Sequence, residues 1–149
     1  MIILTLLISP LRRWTGVSLL KFRRAIGLVS FYYICFHMLA WIALDQEFSF
    51  SNIVQEIIKR PFITVGMFGF LTLVPLAVAS NNYSVRKLGA LVWNKIHRLV
   101  YLAAAAGVIH YLLVVKSWPM EPIIYTLVVA CLLAIRLWWK VNKKKRKRA

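Results

Sequence analysis

Residues 25–44 read AIGLVSFYYICFHMLAWIAL, and His37 is their only ionisable side chain apart from tyrosine and cysteine. With a rise of about 1.5 Å per residue, a helix of this length reaches across the ~30 Å hydrocarbon core of a bilayer. Three further apolar stretches have similar length and carry at most one Lys or Arg each. We therefore predict four transmembrane helices, at residues 25–44, 61–79, 99–115 and 122–139.

The composition of the whole chain favours a small membrane protein. Its 149 residues are 61% hydrophobic, whereas soluble domains average about 45–50% apolar. Twenty Lys and Arg oppose only four Asp and Glu, which gives a formal charge of +16. The apolar fraction excludes a soluble nucleic-acid binder and a disordered basic chain, and two cysteines inside apolar runs do not make a disulfide-stapled domain. The predicted fold class is an all-α polytopic transmembrane helix bundle.

The first nine residues are apolar but too few to span a bilayer. Positive charge follows them, at Arg12 and Arg13, whereas a signal peptide carries it before the apolar stretch. We expect a partial span whose first half is missing, either because the start site is misassigned or because the chain is a shortened form. The predicted organisation is a membrane domain at residues 1–139, with four full spans plus this partial N-terminal span, and a basic tail at residues 140–149.

Lys and Arg are distributed unevenly between the two sides of the predicted bundle. Segments 10–24 and 80–98 and the chain from Arg136 onwards hold 17 of the 20, and the alternate loops, 45–60 and 116–121, hold three. By the positive-inside rule the first set is cytoplasmic. We predict a multi-pass protein of a bacterial inner membrane with a cytoplasmic C-terminal tail. That tail is expected to bind anionic membrane lipid rather than nucleic acid.

Two of the connections have patterns of their own. Apolar residues recur near helical spacing through residues 48–60, which predicts a short amphipathic helix on the outer surface. Residues 80–98 contain Arg86, Lys87 and Lys95 and are predicted as a basic cytoplasmic loop. Its charge chiefly sets the topology, although basic groups of this kind also suit a flavin phosphate.

Histidine is the residue type that places potential cofactor chemistry inside these spans. The chain has three, His37, His97 and His110, and each lies in or at the edge of a predicted span. One intramembrane histidine is equally well explained by a hydrogen bond between helices. Three of them favour a functional site, because ionisable groups are costly to bury in hydrocarbon. Imidazole is a good axial ligand for haem iron and needs no charge.

The spacing of the histidines pairs them by depth. His37 lies thirteen residues after Arg24, and His110 lies thirteen residues after His97. The two spans run in the same direction, and each interval covers about 20 Å. His37 and His110 should therefore be level with each other, nearer the outer face, where they would hold the iron of one haem b between them. Arg24 and His97 should be level near the cytoplasmic face.

Helix geometry separates His97 from this pair. Thirteen residues at about 100° each turn the helix by roughly 220°, so His97 and His110 do not share a face of a straight helix. A bend at Gly107 would change this and make His97 an alternative iron ligand. We expect instead that His97 serves a second cofactor or quinone site, with positive charge from Arg24. The competing interpretation is an ordinary polar residue at the end of a span.

A series of short motifs, in one order along residues 1–139, resembles a known family. The motifs are Arg23-Arg24-Ala25-Ile26-Gly27-Leu28, Phe36-His37-Met38, Lys59-Arg60-Pro61-Phe62-Ile63-Thr64-Val65-Gly66, Arg86-Lys87-Leu88-Gly89, Ile96-His97-Arg98-Leu99 and Ile109-His110-Tyr111. With them the sequence is similar to the MsrQ (YedZ) family of the ferric-reductase-like transmembrane superfamily. Members of that family are membrane subunits of bacterial periplasmic methionine-sulfoxide reductase systems.

The resemblance implies a function and a set of partners. The family binds haem b and FMN, takes electrons from the quinol pool or a cytoplasmic flavin reductase, and passes them to a periplasmic molybdopterin-containing catalytic subunit. That subunit reduces methionine sulfoxide in oxidised periplasmic proteins, so this chain would be an electron-transfer subunit without catalytic residues of its own. His37 and His110 would be the haem ligands, with His97 as a third candidate. Family members have six spans, so the first and half of the second are absent here.

Three other functions remain open from the sequence. A proton- or ion-coupled transporter is disfavoured because no predicted span contains Asp or Glu. A membrane scaffold without catalytic function would bind lipid or a partner through its basic loops and would be colourless when purified. Another transmembrane oxidoreductase of the ferric-reductase-like superfamily would normally need a fused flavin and nicotinamide domain, and these 149 residues do not include one.

Overall fold

Helices make up almost all of the computed structural model, which describes residues 2–16, 19–115 and 119–145. A short 3-10 turn precedes the second helix, and a π-helical turn at Trp41–Asp45 prolongs it. The described ranges contain no β-strand, so the predicted all-α class is confirmed. The helices, numbered in chain order, are α1 Ile2–Thr15, α2 Arg23–Ala40, α3 Phe50–Lys59, α4 Pro61–Val78, α5 Asn82–Ile96, α6 Leu99–Val114 and α7 Met120–Lys145.

Three of the four predicted spans are confirmed as single helices. Arg23–Asp45, Pro61–Val78 and Met120–Asn142 are long and apolar enough to cross a membrane. The remaining stretch forms α6, which is shorter than expected and qualifies only together with α5. These two helices meet at an angle of 40° across a short break. Within its described residues the chain therefore has three spans, or four when the bent pair counts as one.

Residues 80–98 are mostly helical, and their prediction as a loop was wrong. Asn81 caps the N-terminus of α5, because its side-chain oxygen accepts a hydrogen bond of 2.7 Å from the Ser84 amide. Gly89 interrupts the helix with φ 72° and ψ 159°, a conformation that is almost exclusive to glycine. The helix could not be predicted from the sequence, because the basic residues of this segment interrupt its apolar periodicity.

The N-terminal segment is an integral part of the bundle. α1 continues past the apolar stretch, through Pro10, to Thr15, and it packs against α2, α6 and α7. Leu6 is completely buried, in a cluster with Ala104 and Leu132. The expected partial span is thus a helix of 14 residues that contributes to the core.

The most extensive contact between helices joins α4 to α6, and small residues line it. A Cβ added to Gly69 would lie 3.3 Å from the Cβ of Ala106, and Ala103 is buried against Leu73. Helices in a membrane associate through such close packing, because lipid tails are as apolar as the side chains. This packing fixes the position of α6, the helix that carries His110.

The predicted amphipathic helix is confirmed as α3. The hydroxyl of Thr64 donates to the carbonyl of Ile57 and ties the end of α3 to the start of α4. An ion pair of 2.6 Å between Arg60 and Glu56 closes the same corner. The placement of α3 on the outer surface of the membrane remains a prediction. Residues four positions apart form an exposed apolar stripe: Phe50, Val54 and Ile58.

Arg136 joins three helices, which the sequence pattern does not predict. Its Nη1 donates to the hydroxyl of Tyr101 on α6 at 2.6 Å, and its Nη2 donates to the carbonyl of Leu6 on α1, also at 2.6 Å. The Leu6 carbonyl lacks its usual helical partner, because the residue four positions on is Pro10, which has no amide proton. Arg136, the charged residue inside the last predicted span, therefore links three helices by hydrogen bonds in addition to any effect of its charge on topology.

Candidate cofactor site

Two of the three histidines face each other between α2 and α6. The ring centres of His37 and His110 are 6.4 Å apart, and the ring planes are inclined by 75°. The structure thus brings together the two side chains that the spacing pairs by depth. Their role as ligands remains a prediction.

A hydrogen bond to α4 fixes the proton of His110. Its Nδ1 lies 2.7 Å from the carbonyl oxygen of Phe62, in the first turn of α4. A carbonyl oxygen only accepts, so Nδ1 carries a proton, and in the neutral tautomer with this proton Nε2 presents a lone pair. Histidines that ligate metals are commonly oriented by a hydrogen bond of this kind from their other nitrogen.

Gly66 provides the space for the same ring. A Cβ at this position would lie 2.7 Å from Nδ1 and 2.9 Å from Cε1 of His110. The ring of Phe62 also lies near, with its centre 6.5 Å from that of His110. The beginning of α4 therefore forms the wall against which the imidazole packs.

His37 is exposed on its side of the pair. Within the described residues its side chain has no hydrogen-bond partner, and its aromatic neighbour is the ring of His110. A polar side chain at membrane depth without a partner is energetically costly. Such a residue is a functional candidate by default.

An apolar slot lies near the two histidines along α2 and α6, although neither His37 nor His110 lines it. α2 packs against α1 and α4 rather than along α6, and the space between α1, α2, α6 and α7 measures about 270 Å³. Tyr33 lines it one turn before His37, and Gly107 and Tyr111 line it beside His110. A flat hydrophobic cofactor suits such a slot, since apolar walls keep water away from a metal centre.

The separation of the two ring centres leaves room for one metal ion between the imidazoles. The midpoint of the 6.4 Å separation is 3.2 Å from each ring centre. A ligating imidazole nitrogen lies about 2 Å from its metal, and the ring centre lies about 1 Å beyond that nitrogen. In the described part of the chain, no three His, Cys, Asp or Glu side chains lie together so that they could hold a metal ion. A metal here would take its other donors from a cofactor, as haem iron does from its porphyrin.

His97 points to a different place. Its ring stacks on Trp93 with centres 3.7 Å apart, and its Nδ1 donates to the Trp93 carbonyl at 3.1 Å. The break that turns it away lies between α5 and α6, at His97 itself, whereas α6 is uninterrupted at Gly107. The bend considered at Gly107 is therefore absent, and His97 does not join the pair of His37 and His110.

A second cavity, of about 200 Å³, brings His97 and Arg24 together. Arg23 and Ser80 also line this basic cavity. Arg24 donates from Nη1 to Oδ1 of Asn82 at 2.7 Å, which restrains its exposed guanidinium. The expected equal depth of Arg24 and His97 agrees with this arrangement. The cavity combines positive charge with an imidazole, and its role as a second-cofactor or quinone site remains a prediction.

Sequence reasoning does not reveal the residues that orient His110. Phe62 acts through its backbone carbonyl, 48 residues away, so its side-chain type carries no signal. Gly66 does carry a signal, a glycine inside a span, which predicts a close contact between helices. That signal does not say which side chain fills the space.

Taken together, the fold and the histidine pair define a helical membrane protein with a candidate cofactor site between two helices. The sequence profile of the family described as ferric reductase like transmembrane component matches residues 1–108. The chain belongs to this family.

Curated relatives make the likeness more specific. The chain is 52% identical over 136 residues to proteins of Brucella ovis, Brucella canis and Brucella abortus named protein-methionine-sulfoxide reductase heme-binding subunit MsrQ. The match covers 91% of this chain and 61% of each relative, so the chain spans about three fifths of their length. These matches confirm the resemblance to the MsrQ family that the motifs predict. No solved structure matches the chain.

Proposed function

We propose that this chain is the haem-binding electron-transfer subunit of a membrane methionine-sulfoxide reductase system. The observation that carries the proposal is the pair of facing imidazoles, His37 and His110, with ring centres 6.4 Å apart. The tautomer of His110 leaves its Nε2 free to act as a ligand. The Brucella relatives are named as heme-binding subunits, which supports the same cofactor.

His37 and His110 would supply the two axial nitrogen ligands of a haem b. When bound, haem iron alternates between its ferric and ferrous states and so carries one electron at a time. The Phe62 carbonyl holds the His110 ring and its Nδ1 proton in place, so this ligand keeps one orientation in both states. The apolar walls near Tyr33 and Gly107 would keep water away from a haem bound beside them, and this would contribute to its reduction potential.

The charge distribution along the chain suggests a direction of electron flow. With the Lys- and Arg-rich segments in the cytoplasm, the basic cavity is near the cytoplasmic face and the histidine pair is nearer the periplasm. We infer that electrons enter from the quinol pool or a cytoplasmic flavin reductase. They would leave to a periplasmic molybdopterin-containing subunit, across a bacterial inner membrane. His97 and Arg24 would serve the entry side, next to a quinone or a second cofactor such as FMN.

An absorption spectrum tests the proposed cofactor directly. Detergent-purified protein should show the sharp bands of a low-spin b-type haem after reduction by dithionite, because two imidazoles give strong axial ligation. A protein that stays colourless after reconstitution with haem contradicts the proposal. That result would favour a membrane scaffold without a cofactor.

Replacing His97 by alanine tests whether the two cavities have separate roles. We expect His97→Ala to keep the low-spin bands of the haem between His37 and His110, and to lose reduction by added quinol. Asn94→Ala is the control, because Asn94 is an exposed residue of α5 that does not line this cavity. Loss of all haem absorbance in His97→Ala, but not in Asn94→Ala, would instead place His97 among the ligands of the first haem.

A further inference from the structure

We propose that Gly66 is a positioning residue that sets the orientation and the proton of the His110 ring. This inference rests on the proposed ligation of haem by His110 and adds a residue of α4 to that site. Gly66 supplies no ligand and acts through the imidazole alone. Because glycine has no side chain, it leaves the space that the imidazole ring occupies.

The backbone of α4 approaches the imidazole more closely than a side chain would permit. A Cβ at Gly66 would stand 2.7 Å from Nδ1, 2.9 Å from Cε1 and 3.4 Å from Cγ of His110. Side-chain carbons essentially never lie within 3.0 Å of another residue's atoms in this way. Any larger residue at this position must therefore displace the ring.

The same turn of α4 also provides the carbonyl that accepts the Nδ1 proton of His110. Phe62 lies four residues before Gly66, so the two positions share one face of α4. A ring displaced from Gly66 lengthens or breaks the 2.7 Å hydrogen bond from Nδ1 of His110 to the Phe62 carbonyl. An imidazole that donates from Nδ1 is more basic at Nε2. Loss of the bond would therefore weaken His110 as an axial ligand.

Gly69 offers a matched control one turn further along α4. A Cβ there would meet the Cβ of Ala106 at 3.3 Å and the backbone of Gly107 at 4.0 Å, and it would not touch His110. Both glycines lie against α6, but only Gly66 lies against the imidazole. Two single substitutions therefore distinguish the positioning of the ring from the packing of the two helices.

The experiment compares Gly66→Ala with Gly69→Ala in the full chain loaded with haem. For Gly66→Ala we expect haem binding to weaken by about 10- to 100-fold, as is typical when the orienting partner of a ligating histidine is lost. Its ferric haem should show shifted EPR g-values and a higher midpoint potential, because a less basic imidazole stabilises the ferric state less. Gly69→Ala should retain the g-values and the potential of the unsubstituted protein.

A second measurement does not require haem. In haem-free protein with isotope-labelled histidine, NMR should detect the hydrogen-bonded Nδ1 proton of His110 in the unsubstituted chain and in Gly69→Ala. The signal of that proton should shift or disappear in Gly66→Ala.

The outcomes that overturn the inference are distinct from those that overturn the proposed function. Unchanged g-values, potential and Nδ1 signal in Gly66→Ala would remove the positioning role. Equal loss of haem in Gly66→Ala and Gly69→Ala would also remove it, because helix packing would then be decisive. Absence of haem from the unsubstituted protein would refute the proposed function alone, because the Nδ1 signal of haem-free protein still tests the positioning of the ring.

Discussion

Alanine at His37 or at His110 should leave the protein without stably bound haem. Each substitution removes one of two axial nitrogens, and His97 is held on Trp93 and cannot replace either. We expect the haem content to fall by more than about tenfold in each variant, since loss of even an outer partner of a ligating histidine costs about 10- to 100-fold in affinity. The reduced absorption spectrum of the purified variants measures this loss.

The different surroundings of the two histidines allow a sharper test. His37 is exposed, so a His37→Gly variant should regain low-spin bands when free imidazole is added. His110→Gly should regain less, because the space of its ring is enclosed by Gly66 and the Phe62 carbonyl. Met38→Ala, one residue further along α2, controls for folding. Full haem with unchanged bands in both alanine variants would contradict the ligand assignment.

The pairing of the histidines could be predicted because depth in a straight helix depends only on residue count. His37 and His110 each lie thirteen residues beyond a residue near the predicted cytoplasmic edge, and the ring centres are 6.4 Å apart. The spans at residues 25–44 and 61–79 likewise follow from the number of consecutive apolar residues. Both inferences use distance along one helix axis and need no knowledge of how the helices rotate against each other.

The remaining features depend on that rotation and on contacts distant in sequence. The break at His97 shortens α6 and separates it from α5, although neither Gly nor Pro marks it. The hydrogen bond between His110 and Phe62 spans 48 residues, and the bond from Arg136 to Leu6 spans 130. Apolar periodicity predicts that a helix has a buried face, but not which backbone carbonyl that face will meet.

Removing the guanidinium of Arg136 should destabilise the bundle. Arg136→Met retains an unbranched side chain of similar length but removes the guanidinium. The Leu6 carbonyl and the Tyr101 hydroxyl are then left without their donor. Each buried polar group left unpaired costs about 1–3 kcal/mol, and this is partly offset because a charge no longer has to be desolvated. We expect a net loss of about 2 kcal/mol in the free energy of unfolding. Circular dichroism of the helices during unfolding in detergent measures it.

A substitution of Pro10 tests whether Arg136 stabilises the bundle by donating to the Leu6 carbonyl. Pro10→Ala restores an amide that can donate to the Leu6 carbonyl, so it should stabilise the Arg136→Met variant more than the unsubstituted chain. The difference between the two effects, a coupling free energy, should be about 1 kcal/mol. Tyr101→Phe should couple to Arg136→Met but not to Pro10→Ala, because it removes the other acceptor. Zero coupling between Pro10 and Arg136 would mean that the Leu6 carbonyl is satisfied without the guanidinium, and the bridge would then consist of its contact with Tyr101 alone.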